Sequence, residues 1–305
     1  MPKKTKIEPI GEVEPLLIDD DDLELVIEDY DDLGVEELTE EEMTPSLAPV
    51  KDVADLSKIE SLITDVDDKI EHLTWVIYGK NGTGKTTLLS TAEGVLILAA
   101  EDGTLSIRTK ADKAKKIRID TWDKFEAVYW LLRDGKVTPN GIEIKTASGK
   151  FLVRYVAIDT VTKLAEVCMR NIVLGEKEKD INKDVIKRTM RDWGDMSEKM
   201  KYWLQQFEEL PVQRVWLFQE NSNTDDLEAE EFSIFPAINK SIRTYVLSEA
   251  DIIARTYIAK TEKGVQYRLN ASPNQSYVSK DRTNAINKGA INNPSLDKMY
   301  EAVFK

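Results

Sequence analysis

Cysteine and histidine are all but missing from this 305-residue sequence: there is one of each, Cys168 and His72. A single cysteine cannot close a disulfide within the chain, which fits a reducing compartment, and Cys168 is expected to be a small buried residue on a helix. A single histidine argues against a histidine-built metal centre or a histidine-dependent triad. No apolar run approaches the length of a membrane span, and the opening MPKKTKIEPI is basic but has no apolar core of the kind a leader peptide carries. The expectation is a soluble protein of the cytoplasm. Charge balance is lacking too, with 56 Asp and Glu against 42 Lys and Arg and a net charge of -14, but the imbalance is local. Residues 1–60 hold 20 Asp or Glu against 5 Lys, whereas the remainder holds 36 acidic and 37 basic residues and is electrically balanced.

Two regions follow from that asymmetry. In residues 1–55 acidic runs are interrupted by isolated apolar residues, too few to offset chain entropy by burial, so a largely disordered acidic tail is expected. It is either a solubilising segment, a partner-binding motif built on Leu17, Ile18, Leu23, Leu25, Val26 and Ile27, or a set of carboxylates competing with nucleic acid for a basic channel. Residues 56–305 are expected to form one core, since 41% hydrophobic residues suffice for a large α/β domain.

Within the core the most informative stretch is Thr74 to Ala92, TWVIYGKNGTGKTTLLSTA, which has the order strand, glycine loop, helix. Gly79, Gly84, Lys85 and Thr86 meet the pattern G-x-x-x-x-G-K-[ST], a polyphosphate cradle. Gly79, Gly82 and Gly84, free to take positive φ, let successive backbone N–H groups approach phosphate oxygens, and the start of the following helix adds more donors. Lys80, Asn81, Thr83 and Thr87 complete the cradle. Lys85 is expected at the β- and γ-phosphates, with Thr86 ligating Mg²⁺ through its hydroxyl.

Downstream, helical spacing covers Val53–Leu73, Thr121–Arg133, Thr160–Val173, Asp195–Leu210, Pro236–Glu249 and Pro294–Phe304. Strands are expected at Val95–Ala99, Ile117–Ile119, Tyr155–Ile158, Val212–Phe218 and Asp251–Ala259. Hairpins are expected over Ile142–Val153 and around Gly264, and mobile connections over Gly175–Asp192 and Glu220–Glu231. Strands alternating with helices predict a mainly parallel sheet covered on both faces, with ligands at the strand C-terminal ends. At those ends lie Glu101, Asp159 and Gln219. Asp159 suits the metal shell, Glu101 the attacking water, with Asp102 as a rival, and Gln219 the γ-phosphate.

This order of P-loop, Glu after the adjacent strand (ILAAED), Asp after a later one (VAIDT) and Gln after the next (VWLFQ) resembles the RecA core. Thr160, not Glu, follows Asp159, which separates the pattern from AAA+ proteins. More closely, YGKNGTGKTTL, RDWGDMSEKMKYWLQQFEELP, FPAINKSIRTYVLSEAD, SKDR and NPSLDKM resemble the phage-encoded, RecA-like core-only proteins of single-strand annealing. That resemblance implies an ATPase using ATP and Mg²⁺, self-association as a ring or filament, and action on single-stranded DNA. It also implies that Lys280 and Arg282 reach the nucleotide of a neighbouring subunit, in the manner of the DnaB-type helicases. Preference for ATP fits the absence of an N-K-x-D base-reading motif. One departure is the acidic stretch after Gln219, with Asp225, Asp226, Glu228, Glu230 and Glu231, which repels DNA phosphate. The alternative cations are Lys177, Lys179, Lys183, Lys187, Arg188 and Arg191. Other readings of the chain are a nucleotide-gated assembly or loading factor and a helicase or packaging motor.

Overall fold

Strands buried on both faces read as unbroken apolar runs, and three such runs form the centre of the molecule. They are β1 (Thr74–Gly79), β2 (Val95–Ala99) and β7 (Tyr155–Asp159), buried at every position. The computed structural model describes residues 72–101, 114–179, 187–222, 234–262 and 264–304. The acidic tail and the helix expected over Val53–Leu73 lie outside the described residues, except for His72 and Leu73.

The sheet continues with β3 (Ala114–Arg118), β8 (Gln213–Ser222) and β10 (Ile252–Thr261). The parallel order is β3-β2-β7-β8-β1-β10, and antiparallel strands β11 (Gly264–Asn270) and β13 (Ile291–Asn292) extend one edge. Two short strands pair off this path: β9 (Ile234–Pro236) with the end of β8 and β12 (Lys280–Asp281) with the start of β10. A separate three-stranded sheet, β4 (Lys136–Thr138), β5 (Gly141–Thr146) and β6 (Gly149–Val153), contains the expected hairpin plus one strand more.

Alternation within each strand sends side chains to two cores. Trp75, Ile77, Ile97, Ala157 and Leu217 pack with α1 (Lys85–Leu89) and α6 (Leu296–Val303). Val76, Tyr78, Leu98, Ile158 and Trp216 face the other side, against α2 (Trp122–Arg133), α3 (Val161–Lys179), α4 (Met190–Glu208) and α5 (Lys240–Glu249). The expected doubly covered, mainly parallel α/β sheet is the fold observed. Cys168 is buried on α3, as expected, and burial pushes its thiol up to about 12.

The strand N-terminal ends are tied by Arg214, whose guanidinium donates to Thr74 Oγ1 at 3.0 Å and to the carbonyls of His72 and Glu208, both at 2.9 Å. Gln213 Oε1 accepts from Leu73 N–H at 3.0 Å, and Asp251 Oδ2 from Thr74 N–H at 2.9 Å. These bonds fix the register of β1, β8 and β10, so the other ends of the same strands arrive at one edge together.

Several boundaries differ from expectation. The P-loop helix stops at Leu89 rather than Ala92, because Ser90 N–H turns back to the Thr87 carbonyl at 3.1 Å and the Ser90 and Thr91 hydroxyls bond the Thr87 and Leu88 carbonyls. Helix α3 runs on to Lys179, through Gly175, and α4 begins at Met190, so only 180–186 of the expected connection falls outside the described residues. A reciprocal cap explains that start: Thr189 Oγ1 accepts from Asp192 N–H, and Asp192 Oδ2 from Thr189 N–H at 2.6 Å. Pro236 ends a strand instead of opening a helix, and Asn239 caps α5 by accepting from Ile242 N–H at 3.0 Å.

Candidate functional site

The C-terminal ends of four parallel strands converge. Ala99 is level with Asp159, Asp159 with Leu217, and Gly79 with Gln219. The loop after β1, Glu101 two residues beyond β2 and the end of β7 therefore line one cavity of about 430 Å³. Its walls include Asn81, Gly82, Lys85, Thr86, Glu101 and Asp159.

The three loop glycines do different work. Gly79 is where the phosphate loop leaves the sheet, and it has no room for a side chain. A Cβ there would lie 2.3 Å from Thr256 Oγ1 and 2.4 Å from the Thr256 carbonyl. Its part is this close approach and not the positive φ expected of it, since Gly79 is paired within β1 and the left-handed positions of the loop are Gly82 and Gly84. Gly82, at φ 79°, would meet nothing within 4 Å of an added Cβ, so it is the backbone turn at the cavity wall that calls for glycine there. Gly84, at φ 91°, precedes the helix in the same left-handed conformation. Thr256 in turn holds the loop: its hydroxyl is 2.8 Å from that of Thr83, and Thr83 Oγ1 donates to the Lys80 carbonyl at 2.8 Å. Because α1 is only five residues long, a phosphate at this loop would be met by loop N–H groups and Lys85 more than by a helix dipole.

Lys85 is buried, and its ammonium donates to the carbonyls of Gly79 at 2.7 Å and Lys80 at 2.9 Å. Burial pulls its pKa below the usual lysine value, opposed by the charges of Asp159, Glu101 and Glu220. Thr86 Oγ1 donates to Asp159 Oδ2 at 2.7 Å. Burial lifts the Asp159 carboxyl above the usual range, with the Thr86 hydrogen bond working the other way. A hydroxyl and a buried carboxylate side by side at a phosphate cradle fit Mg²⁺, which takes oxygen ligands and commonly only one or two from carboxylates. Among the described residues no cluster of three His, Cys, Asp or Glu could hold a metal by itself.

Glu101 Oε1 accepts two hydrogen bonds, from Thr160 Oγ1 at 2.7 Å and from Gln219 Nε2 at 2.8 Å. The structure therefore brings Glu101 and Gln219 into direct contact. Gln219 lies inside β8 rather than at its end, because β9 prolongs the pairing to Ser222. Next to it, Glu220 forms a two-point ion pair with Arg255 at 2.8 and 3.1 Å. Burial alone would lower the Arg255 pKa, but the Glu220 pair outweighs it and holds it above the usual value. Asp102, the rival carboxylate, lies outside the described residues.

Tyr267, not among the expected site residues, lines both this cavity and a neighbouring, more apolar cleft of about 310 Å³ that also includes Thr87, Thr91, Asn293 and Pro294. Its ring carbon Cδ1 would be 3.2 Å from a Cβ on Gly84. The hairpin expected around Gly264 is the pairing of β11 with β10 that carries Tyr267 there, but its pattern does not tell which side chain reaches the phosphate loop.

Lys280 and Arg282 are elsewhere. Strand β12 pairs with Ile252 and Ile253, level with the start of β1, whereas Thr256 is level with Gly79. The pair thus sits some 10 Å of strand away from its own phosphate loop, at the opposite edge of the sheet. Lys280 Nζ donates to the Leu247 and Ser248 carbonyls at 3.2 Å, and Arg282 donates to the Ser248 carbonyl at 2.8 Å and to Asp251 at 3.3 Å. Both grip the C-terminal end of α5. Of the alternative cations, Lys187, Arg188 and Arg191 are exposed at the start of α4, with the Arg188 guanidinium 5.9 Å from the centre of the Trp193 ring. Lys177 and Lys179 belong to the last turn of α3. Lys183 and Asp225 to Glu231 lie outside the described residues.

A family model described as "AAA domain" matches residues 71–283. The chain belongs to this AAA domain family. In this AAA-family chain Glu101 follows β2, and Thr160 rather than Glu follows Asp159, the feature expected to separate the pattern from AAA+ proteins. No curated protein matches. Among the matching solved structures is a KaiC-like protein from the hyperthermophilic archaeon Pyrococcus horikoshii OT3. It is 12% identical, covers 73% of this chain and 90% of its own, and has a TM-score of 0.38. The P-loop NTPase core of this AAA-family protein rests on the family match and on its own strand order.

Proposed function

We propose that this chain is a Mg²⁺-dependent ATPase of RecA-like organisation, phage-encoded, that acts on single-stranded DNA in recombination or replication of the annealing or strand-exchange type. The observation that carries the reading is the meeting of Lys85, the Thr86–Asp159 pair and the Gln219-bound Glu101 around one cavity beside the phosphate loop. Loop N–H groups and Lys85 bind the phosphates, and Thr86 with Asp159 would hold Mg²⁺, which when bound neutralises charge on the β- and γ-oxygens. Glu101 orients or deprotonates the attacking water, and Gln219 reports on the γ-phosphate through its amide. The cleft beside Tyr267 receives the base.

Lys280 and Arg282 serve the nucleotide of the next copy in a ring or filament. Arg282 is half exposed, and neither residue reaches its own cavity. Support for DNA contact comes from exposed Lys187, Arg188 and Arg191 at the start of α4, with Arg188 over the exposed Trp193 ring and Arg191 3.6 Å from Asp195, since single strands bind to cations interleaved with stacking aromatics.

The test is the rate of ATP hydrolysis with and without single-stranded DNA, for the full chain and for a variant lacking residues 1–55. Stimulation by DNA in both supports the reading, and no hydrolysis in any condition overturns it. The acidity of residues 1–60 favours a second reading, a nucleotide-gated loading factor working through its tail. Stimulation by a protein partner that disappears with residues 1–55, without any effect of DNA, would support that one.

A further inference from the structure

Thr160 is 2% exposed, and its hydroxyl has two neighbours. It accepts from the backbone N–H of Lys163 at 3.3 Å, in the first turn of α3, and it lies 2.7 Å from Glu101 Oε1. A hydroxyl carries one proton. With an N–H donating to its oxygen from the helix side, that proton goes to the carboxylate. The backbone around it is also fixed, because the Thr160 carbonyl accepts from Lys163 N–H at 3.1 Å and Leu164 N–H at 2.9 Å.

Glu101 needs such a holder. It follows the end of β2, where an unrestrained carboxylate would sample several rotamers. Its backbone is anchored to the same place as its side chain: Ala100 and Glu101 N–H groups both donate to the Asp159 carbonyl, at 2.8 and 3.2 Å. Main chain and side chain of Glu101 are thus both referred to the dipeptide Asp159–Thr160. Thr160 and Gln219 both meet Oε1, and Oε2 receives neither donor. In the ATPase reading Gln219 also serves the γ-phosphate, whereas Thr160, which lines the same cavity, has its hydroxyl engaged by Glu101 and by Lys163 N–H.

We propose that Thr160 is the positioning residue of Glu101: its hydroxyl, oriented by the start of α3, fixes one carboxylate oxygen and so aims the other at the attacking water when Gln219 turns to the γ-phosphate. The role rests on the ATPase reading given above, in which Glu101 acts on that water. It is a matter of geometry, and misplacement of a reacting group by about 1 Å costs about 100-fold in rate.

The experiment compares Thr160→Val, which keeps the shape and removes the donor, with Thr160→Ser, which keeps the donor. Thr160→Val is expected to lower kcat by about 10- to 100-fold, with KM for ATP and the affinity for a non-hydrolysable ATP analogue within about twofold of wild type. Thr160→Ser is expected to recover most of the turnover. In a Glu101→Gln background, Thr160→Val should change nothing further, since Thr160 acts through Glu101. Wild-type turnover in Thr160→Val, equal loss in Thr160→Ser, or a further loss in the Glu101→Gln background overturns the assignment. If Thr160→Val does not fold, Thr160→Ala against Thr160→Ser makes the same comparison. Failure of the underlying reading looks different: wild-type protein then binds the analogue but hydrolyses no ATP, which removes the role of Thr160 as well.

Discussion

At Gly79 the phosphate loop is held at van der Waals limits rather than by hydrogen bonds alone. Alanine at this position would drive its Cβ into the Thr256 carbonyl, which is part of β10 and cannot step aside without disturbing the sheet. Overpacking of this kind costs about 1–3 kcal/mol. Gly79→Ala is therefore expected to lower the melting temperature and to weaken binding of an ATP analogue at least tenfold. Gly84→Ala meets only the ring of Tyr267, which can rotate. Its penalty is confined to the left-handed backbone, about 1 kcal/mol. Thermal melts and fluorescence titrations of the two variants check the contrast; equal effects would show that the tight approach of Thr256 is unimportant. The same pair of residues shows what a sequence can and cannot disclose. The motif announced glycine at 79 and 84, but Thr256 and Tyr267 are 177 and 183 residues further on, and only strand pairing brings them to the loop.

Between elements, the junction of α4, α5 and β8 holds a carboxylate in an unfavourable place. Glu208 lies near Arg214, Glu249 and Asp251, and its Oε2 accepts from Tyr245 Oη at 3.2 Å. Burial pushes its pKa up from 4.5 to about 7, against the opposing pulls of Tyr245 and Arg214. The folded state then binds more protons than the unfolded state between these two values, so the Glu208 contribution to stability is greatest at low pH and is lost as pH rises towards 7. Glu208→Gln, which keeps the acceptor for Tyr245, is expected to be the more stable protein at pH 8, by on the order of 1 kcal/mol after discounting for partial exposure. At pH 4 the two should be alike. Urea unfolding at both pH values decides, and a wild type as stable as Glu208→Gln at pH 8 would contradict it. Elements buried on both sides were legible as apolar runs: β2 has the bounds expected, and β7 differs by one residue. Where polar side chains set an end, the pattern misled. The cap of α4 at Thr189 and Asp192 was hidden in a stretch of mixed charge, and the turn at Ser90 and Thr91 cut short a helix that spacing alone would have continued.

For the whole molecule, the decisive question is whether one chain contains a complete site. Its cavity holds the phosphate loop, the Thr86–Asp159 pair and Glu101, but Lys280 and Arg282 point to the other end of the sheet and grip α5. Two accounts separate cleanly. If the pair serves only to close α5, Arg282→Ala lowers stability and leaves turnover per folded chain unchanged. If it serves a neighbour, Arg282→Ala lowers turnover while ATP-analogue binding survives, and specific activity of wild type rises with protein concentration as assemblies form. Mixing gives a sharper test. Lys85→Ala chains supply an intact Arg282 but no working cradle, and Arg282→Ala chains supply the cradle but no finger, so each is expected to be nearly inactive alone. In a head-to-tail assembly of equal parts, a cradle from one and a finger from the other meet at about one interface in four, and activity should return to about a quarter of wild type. Recovery of that size, in mixtures shown by sizing to contain both chains, places the two residues across an interface. No recovery in such mixtures leaves them with α5 alone.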